Sequence, residues 1–185
     1  FIRTRLTHSL EVSSLAKSLG QNIAESILQN RLDPEFTEQM KGNICDILLC
    51  AGLIHDIGNP PFGHFGEEAI RDWFQKKLPL LEYRGKKLNE VLTPQMTGDF
   101  LHFEGNAQAL RLVSKLHLLV NENGMNLTFA LLDTIIKYPV PSTGIAPQSG
   151  RIGAKKMGYF YAERELYRMV AESCGTCGVR HPLVY

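Results

Sequence analysis

Apolar residues return at helical spacing along most of the chain. Val12, Leu15, Leu19, Ile23 and Ile27 follow one another at intervals of three and four. That spacing predicts a helix starting near Leu6 or Thr7, with this stripe turned inward. His8 lies on the same stripe, four residues before Val12, and Arg5 lies three before His8. Arg31-Leu32-Asp33-Pro34 breaks the helix. A second helix is expected from Asn43 to Ile57. Ile44, Ile47, Leu48, Ala51, Leu53 and Ile54 make it apolar over most of its circumference, which predicts a central position. Leu48, Ala51 and His55 share one face. Asp56 is offset from His55 by about 100°, so the two side chains approach one point only near the helix terminus. Gly58 and the Pro60-Pro61 pair supply that terminus.

A third helix is predicted over Phe65 to Lys77, carrying Ile70, Trp73 and Phe74. Leu78 to Asp99 is polar and holds Pro79, Gly85, Pro94 and Gly98, so it reads as an irregular excursion. A fourth helix follows Phe103-Glu104-Gly105-Asn106, with Ala109, Leu110, Val113, Leu116 and Val120 on its buried side. Asn123-Gly124 marks a turn. A short helix over Phe129 to Tyr138 stops at Pro139. The Gly-, Pro- and Ser-rich stretch Pro139 to Gly158 reads as a long surface loop. A last helix runs from Ala162 to Ser173. With no internal repeat and no alternating strand pattern, the expectation is an all-α fold forming one helical-bundle domain over residues 1–185.

Composition narrows this picture without redirecting it. The chain has 185 residues, 44% hydrophobic and 21% charged, which is the balance of a soluble globular domain. A net charge of +1 sets up no global field for nucleic acid or an anionic membrane. The longest apolar stretch, Ile47 to Ile54, is far short of the ~18 residues of a membrane span. Four cysteines, Cys45, Cys50, Cys174 and Cys177, are too few for a disulfide scaffold and fit a reducing cytoplasm. The ends, Phe-Ile-Arg and Pro-Leu-Val-Tyr, read as cuts through structured sequence, so a fragment truncated at both ends is expected.

The candidate chemistry gathers on inward faces. His8 and the His55-Asp56 pair come from two helices that must pack together. An unpaired carboxylate or imidazole is costly to bury. Two nitrogen donors and one oxygen donor suit Mg or a divalent first-row ion; the other reading is three separately satisfied core polar residues. His64 and Glu67 are three apart, neighbours on a helix surface. A carboxylate there can hold the imidazole tautomer and make a general acid or a water-positioning pair, or merely cap the helix start. Arg3 and Arg5 could grip phosphate or form a solvated basic end, and Lys155-Lys156 invites the same two readings. Cys174 and Cys177 form a lone CxxC with only His181 nearby, and read as structural.

Three blocks carry a family resemblance. Arg3-Thr4-Arg5-Leu6-Thr7-His8-Ser9-Leu10-Glu11-Val12 resembles the opening motif of the HD-domain phosphohydrolases, specifically the deoxyguanosine triphosphate triphosphohydrolases. His55-Asp56-Ile57-Gly58-Asn59-Pro60-Pro61-Phe62-Gly63-His64 is similar to their defining HD motif and the segment after it. Phe103-Glu104-Gly105-Asn106-Ala107-Gln108-Ala109-Leu110-Arg111 resembles a third block. Lys156 to Glu163 and His181-Pro182-Leu183 match more weakly. The resemblance implies an all-α fold around a metal site with His8, His55 and Asp56 as ligands. It implies Mg or Mn as the ion, with Fe, Ni and Zn also compatible. It places His64 and Glu67 at the catalytic dyad, Arg5 and Asn59 at phosphate-contacting positions, and Glu104 and Asn106 in the lining of the site. The implied reaction splits a deoxynucleoside triphosphate, most often dGTP, into deoxynucleoside and triphosphate in the cytoplasm; the alternatives are another HD-type nucleotide phosphohydrolase and a nucleotide-binding regulatory module without turnover. The resemblance also admits a homo-oligomer and a nucleotide or single-stranded DNA effector. Asn59 departs from the pattern, since many relatives have a histidine there. The family's fourth ligand, an aspartate shortly after the His-Pro-Leu block, is expected beyond Tyr185, and an isolated 185-residue piece is therefore expected to be catalytically poor.

Overall fold

A computed structural model describes residues 4–118 and 122–176. Arg3, Val120, Cys177 and His181, which entered the sequence reading, lie outside the described residues. The described residues are mostly helical, and the chain divides into two compact units, residues 1–56 and 57–185.

The first unit is a helical hairpin of α1 (Arg5–Asn30) and α2 (Glu38–Ile54). Thr4 caps α1 by accepting the Thr7 N–H at 3.2 Å. Arg31 ends it in the left-handed region, φ 49°. The buried face of α1 is not the expected leucine stripe. Leu15, Leu19 and Ile23 are 61%, 54% and 63% exposed, whereas Ser13, Gly20 and Ala24 are buried. The reason is close approach of the two backbones. A Cβ on Gly52 would lie 2.6 Å from Ser13 Cα, and one on Gly20 would strike Leu48 Cδ1. Ser13 Oγ donates to the Leu49 carbonyl at 2.6 Å, satisfying the one polar group that this seam buries. Helix α2 begins five residues before the expected Asn43. Thr37 caps it through the Met40 N–H at 3.2 Å, and Glu38 occupies its first turn. It ends at Ile54 rather than Ile57, leaving His55 as the C-cap residue. Ile44 and Leu53 are exposed at 36% and 41%, so α2 is not buried all round as expected.

The second unit opens with α3 (His64–Lys77), entered through Phe62 and Gly63, both at positive φ. The predicted excursion after it is more ordered than expected. Glu82–Tyr83 (β1) and Lys86–Lys87 (β2) pair antiparallel about an Arg84-Gly85 turn with both residues at positive φ. Two helices follow, α4 (Leu88–Val91) and α5 (Pro94–Leu101). Pro94 does not break structure here. It occupies the first turn of α5, where its missing N–H costs nothing, behind the Thr93 cap. Helix α6 (Gly105–Arg111) passes into a π-helical turn over Leu112–Leu116, which rotates Leu116 out to 55% exposure against expectation.

Helix α7 (Phe129–Ile135) stops before Tyr138, and α8 (Arg164–Cys174) follows a 3-10 turn at Tyr161–Glu163. The stretch 139–158 is a surface loop only in part: residues 146–152 are exposed, but its flanks turn inward. Ser142, Ala154, Met157 and Gly158 are buried, and Met157 packs with Ala107 and Phe160. Leu110, Val113 and Val170 are also fully enclosed. No helix among the described residues is long and apolar enough to cross a membrane.

Candidate metal centre and acid–base pair

In the first unit, His8 sits one turn into α1, and His55 and Asp56 follow the last residue of α2. One ligand atom from each of the three lies within 4.8 Å of the others. Asp56 Oδ2 is 3.4 Å from His55 Nε2 and 3.9 Å from His8 Nε2. The two imidazoles meet edge to face, with centroids 5.2 Å apart. His55 Nδ1 is 2.7 Å from the Gly52 carbonyl oxygen. A carbonyl only accepts, so Nδ1 carries the proton and the Nε2 lone pair is directed towards Asp56 and His8. This is the outer-sphere arrangement that orients histidine ligands in metal sites. The donor set of two imidazole nitrogens and a half-exposed carboxylate fits a divalent ion. Arg5, the first residue of α1, lies one turn before His8 and is exposed.

In the second unit, His64 opens α3 and Glu67 lies one turn on. His64 Nδ1 is 3.0 Å from Glu67 Oε2. The ring is 78% exposed and the carboxylate 1% exposed, so a buried acid holds a solvent-facing base. Glu67 Oε1 accepts the Gly105 N–H at 2.8 Å. Burial raises the Glu67 carboxyl, but the His64 hydrogen bond, the Gly105 N–H and the Lys156 ammonium together outweigh it and hold the group below its ordinary range. Glu67 is therefore ionised, and His64 carries its proton on Nδ1 with Nε2 facing solvent. A Cβ on Gly105 would strike Asn59 Oδ1 and lie 2.8 Å from Glu67 Oε1, so a larger residue there would displace one of these side chains. That contact also places Asn59 beside the pair.

Glu104, 1% exposed, caps α6 and joins two further groups. Its Oε1 accepts from Asn106 Nδ2 at 2.7 Å and its Oε2 pairs with Lys156 Nζ at 2.7 Å. The structure thus collects Asn59, His64, Glu67, Glu104 and Asn106 around the α6 N-terminus. Lys156 joins them, although as one of two adjacent loop lysines it also reads as a solvated charge. Its position three residues before Tyr159-Phe160 is visible in the sequence, but its pairing with Glu104 is not. Arg71, which no spacing in the sequence singles out, donates from Nη1 to the Phe103 carbonyl at 3.0 Å. Cys174 is a free, half-buried thiol with its pKa raised by burial and by Asp133, in keeping with a structural reading.

Residues 5–134 match the family model described as the HD domain. The whole chain is 52% identical to a deoxyguanosinetriphosphate triphosphohydrolase-like protein of Listeria innocua and covers 39% of it. A protein of the same description from Synechocystis is 39% identical over the whole chain, which covers 43% of it. A deoxyguanosinetriphosphate triphosphohydrolase of Salmonella schwarzengrund is 39% identical over 89% of the chain and 35% of its own length. The chain spans about two fifths of the length of these curated relatives.

Proposed function

The chain belongs to the HD-domain family, and from that premise we propose that it is part of a metal-dependent phosphohydrolase that splits a deoxynucleoside triphosphate, dGTP first among them, into deoxynucleoside and inorganic triphosphate. The observation that carries the reading is the convergence of His8, His55 and Asp56 within 4.8 Å. Three donors of this type at the ends of two packed helices have an obvious use as ligands and a poor one as packing. The relatives from Listeria, Synechocystis and Salmonella, named for deoxyguanosinetriphosphate triphosphohydrolase, favour a nucleoside triphosphate as substrate.

His55 is the best oriented of the three ligands, because its Nδ1–H is tied to Gly52. Asp56 adds the negative charge that a divalent ion needs, and His8 closes the set from α1. When bound, a divalent ion, Mg or Mn by preference, supplies Lewis-acid polarisation of a phosphoryl oxygen and a water of lowered pKa. The reaction forms a bond from water oxygen to the α-phosphorus and breaks the bond from that phosphorus to the 5′-oxygen. His64, protonated and oriented by Glu67, delivers a proton from Nε2 to the departing 5′-oxygen. Arg5 offsets phosphate charge. Asn59 and Asn106 offer uncharged amide donors, and Glu104 fixes the Asn106 amide. The cytoplasm, a homo-oligomer and a nucleotide or single-stranded DNA effector complete the reading drawn from the family resemblance.

The experiment incubates the full-length protein with each deoxynucleoside triphosphate and Mg or Mn, then identifies the products. Deoxynucleoside with intact triphosphate is expected. Monophosphate with pyrophosphate, or release of single phosphates, would reject the proposed bond cleavage.

A further inference from the structure

We infer that Arg71 is a positioning residue for the His64–Glu67 pair, acting through the Phe103 carbonyl and the Glu67 carboxylate. The inference rests on the proposed acid–base role of that pair and assigns the residue that keeps it aligned.

Arg71 lies one helical turn after Glu67 on α3. Its Nη1 donates to the Phe103 oxygen at 3.0 Å and stands 3.8 Å from Glu67 Oε2. Phe103 is two residues before Gly105, whose N–H holds Glu67 Oε1 at 2.8 Å. The guanidinium thus clamps the backbone that presents this N–H, and faces the carboxylate that receives it. Each Glu67 oxygen then has its own partner, Gly105 on one and His64 on the other. A planar, permanently charged fork suits this double duty. Lys156, which is paired with Glu104 at 2.7 Å, also lowers the Glu67 carboxyl, and Arg71 differs from it in holding the Phe103 carbonyl as well.

Removing Arg71 has a definite chemical consequence. Glu67 would remain almost fully buried with less positive charge around it, a state that favours taking up a proton or turning away. Either change deprives His64 Nδ1 of its acceptor. The neutral imidazole is then free to move its proton from Nδ1 to Nε2, and the ring loses the orientation that Glu67 gives to Nε2. A residue that mattered only for packing would leave the His64 tautomer where it is.

The test uses the full-length protein with Arg71→Met and Arg71→Lys. Nitrogen-15 NMR of labelled histidine reads the His64 tautomer, and steady-state kinetics read kcat and KM separately. In Arg71→Met the His64 signal should leave the Nδ1–H form. The kcat should fall by about 10–100-fold, the range typical of residues that orient another catalytic or ligating group, with KM and metal content unchanged. Arg71→Lys, which keeps the charge, should restore the tautomer in large part. If Arg71→Met does not fold, Arg71→Gln against Arg71→Lys makes the same comparison, with the tautomer kept by lysine and lost in glutamine. An unchanged His64 tautomer in the uncharged variant overturns the inference, whatever happens to thermal stability. Absence of any triphosphohydrolase activity in the wild type would instead reject the proposed function, and the tautomer measurement would still decide the role of Arg71.

Discussion

The Gly52 carbonyl oxygen sits 2.7 Å from His55 Nδ1, and this one contact decides which face of the imidazole is available. The carbonyl belongs to the last turn of α2, and His55 follows that turn directly, so the helix terminus orients its own next side chain. With Nδ1 occupied as a donor, Nε2 is left to look towards Asp56 and His8. The protein should therefore bind one divalent ion with these three residues, and His55→Ala should abolish binding. Asp56→Asn should weaken it strongly by removing the charge. Calorimetry with Mn or Mg and metal analysis after dialysis would check this. Full metal content in His55→Ala would remove the site.

The same terminus makes Gly52 a point of leverage. A methyl group there would lie 2.6 Å from Ser13 Cα and 2.9 Å from Ser13 N. Both are backbone atoms that cannot swing aside, so Gly52→Ala must spread α1 from α2. Overpacking of this kind costs about 1–3 kcal/mol. It should also part His8, on α1, from His55 and Asp56, after α2. Denaturant unfolding and metal titration should therefore both register the change. A destabilised variant with undiminished metal affinity would show that His8 is not a ligand.

His64→Ala in the full-length protein should retain its metal and lose turnover by about 10²–10⁴-fold, the usual contribution of a general acid or base. Glu67→Gln should act in the same direction by releasing the tautomer. It should also change the pH dependence of stability. The folded Glu67 carboxyl lies below its ordinary value of 4.5, so the folded state binds this proton less readily than the unfolded chain. The stability it contributes is complete above that value and lost as pH falls through the folded value. Acid unfolding of Glu67→Gln should therefore be shallower than that of the wild type. Identical acid profiles would show that Glu67 is not held ionised.

What the sequence made legible was six of the eight helices among the described residues; α4 and α5 begin in the stretch 78–99, whose Pro and Gly residues read as irregular. His8, His55 and Asp56 could be placed near one point from helical phase and the Gly58-Pro60-Pro61 terminus alone. The His64–Glu67 contact followed from a spacing of three. The faces of α1 were misjudged because hydrophobicity was taken to decide burial, whereas the α1–α2 seam is set by how closely two backbones approach. Ser13, Gly20 and Ala24 win that seam by being small, not by being greasy. The stretch 139–158 departs at its flanks from the expected surface loop for a related reason. Its Gly and Ser residues look like loop composition, but Ser142 and Gly158 are small because other groups pack directly on them. A Cβ on Gly158 would strike the Tyr138 carbonyl. Arg71 and the pairing of Lys156 are not legible because their partners, Phe103 and Glu104, lie far away in sequence.

Asp99 supplies the last prediction. It is buried on α5, with Oδ2 accepting the Tyr161 N–H at 2.6 Å and Oδ1 2.7 Å from Ser142 Oγ. Ser142 Oγ is also 2.9 Å from the Gln95 carbonyl oxygen, which can only accept. The hydroxyl has one proton, and the carbonyl and an ionised carboxylate would compete for it. A proton on Asp99 Oδ1 would resolve the competition, with Asp99 donating to Ser142 and Ser142 donating to Gln95. Burial raises the Asp99 carboxyl above its ordinary 3.8, against the Tyr161 N–H, the Ser142 hydrogen bond and the Arg111 charge, which is the direction this pattern requires. The sign of the linkage follows. The folded state binds this proton more readily than the unfolded chain, so its contribution to stability is complete below 3.8 and lost as pH rises through the folded value. An amide copies the protonated acid without titrating. In Asp99→Asn the nitrogen takes the place of Oδ1 and donates to Ser142, and the oxygen still accepts from Tyr161. Asp99→Asn should be at least as stable as the wild type at neutral pH, and its stability should decline less between pH 4 and pH 7. Urea unfolding at a series of pH values measures both. A clear loss of stability in Asp99→Asn at neutral pH would mean that Asp99 is ionised in the folded protein, with the Ser142 proton turned to the carboxylate and the Gln95 carbonyl left without it.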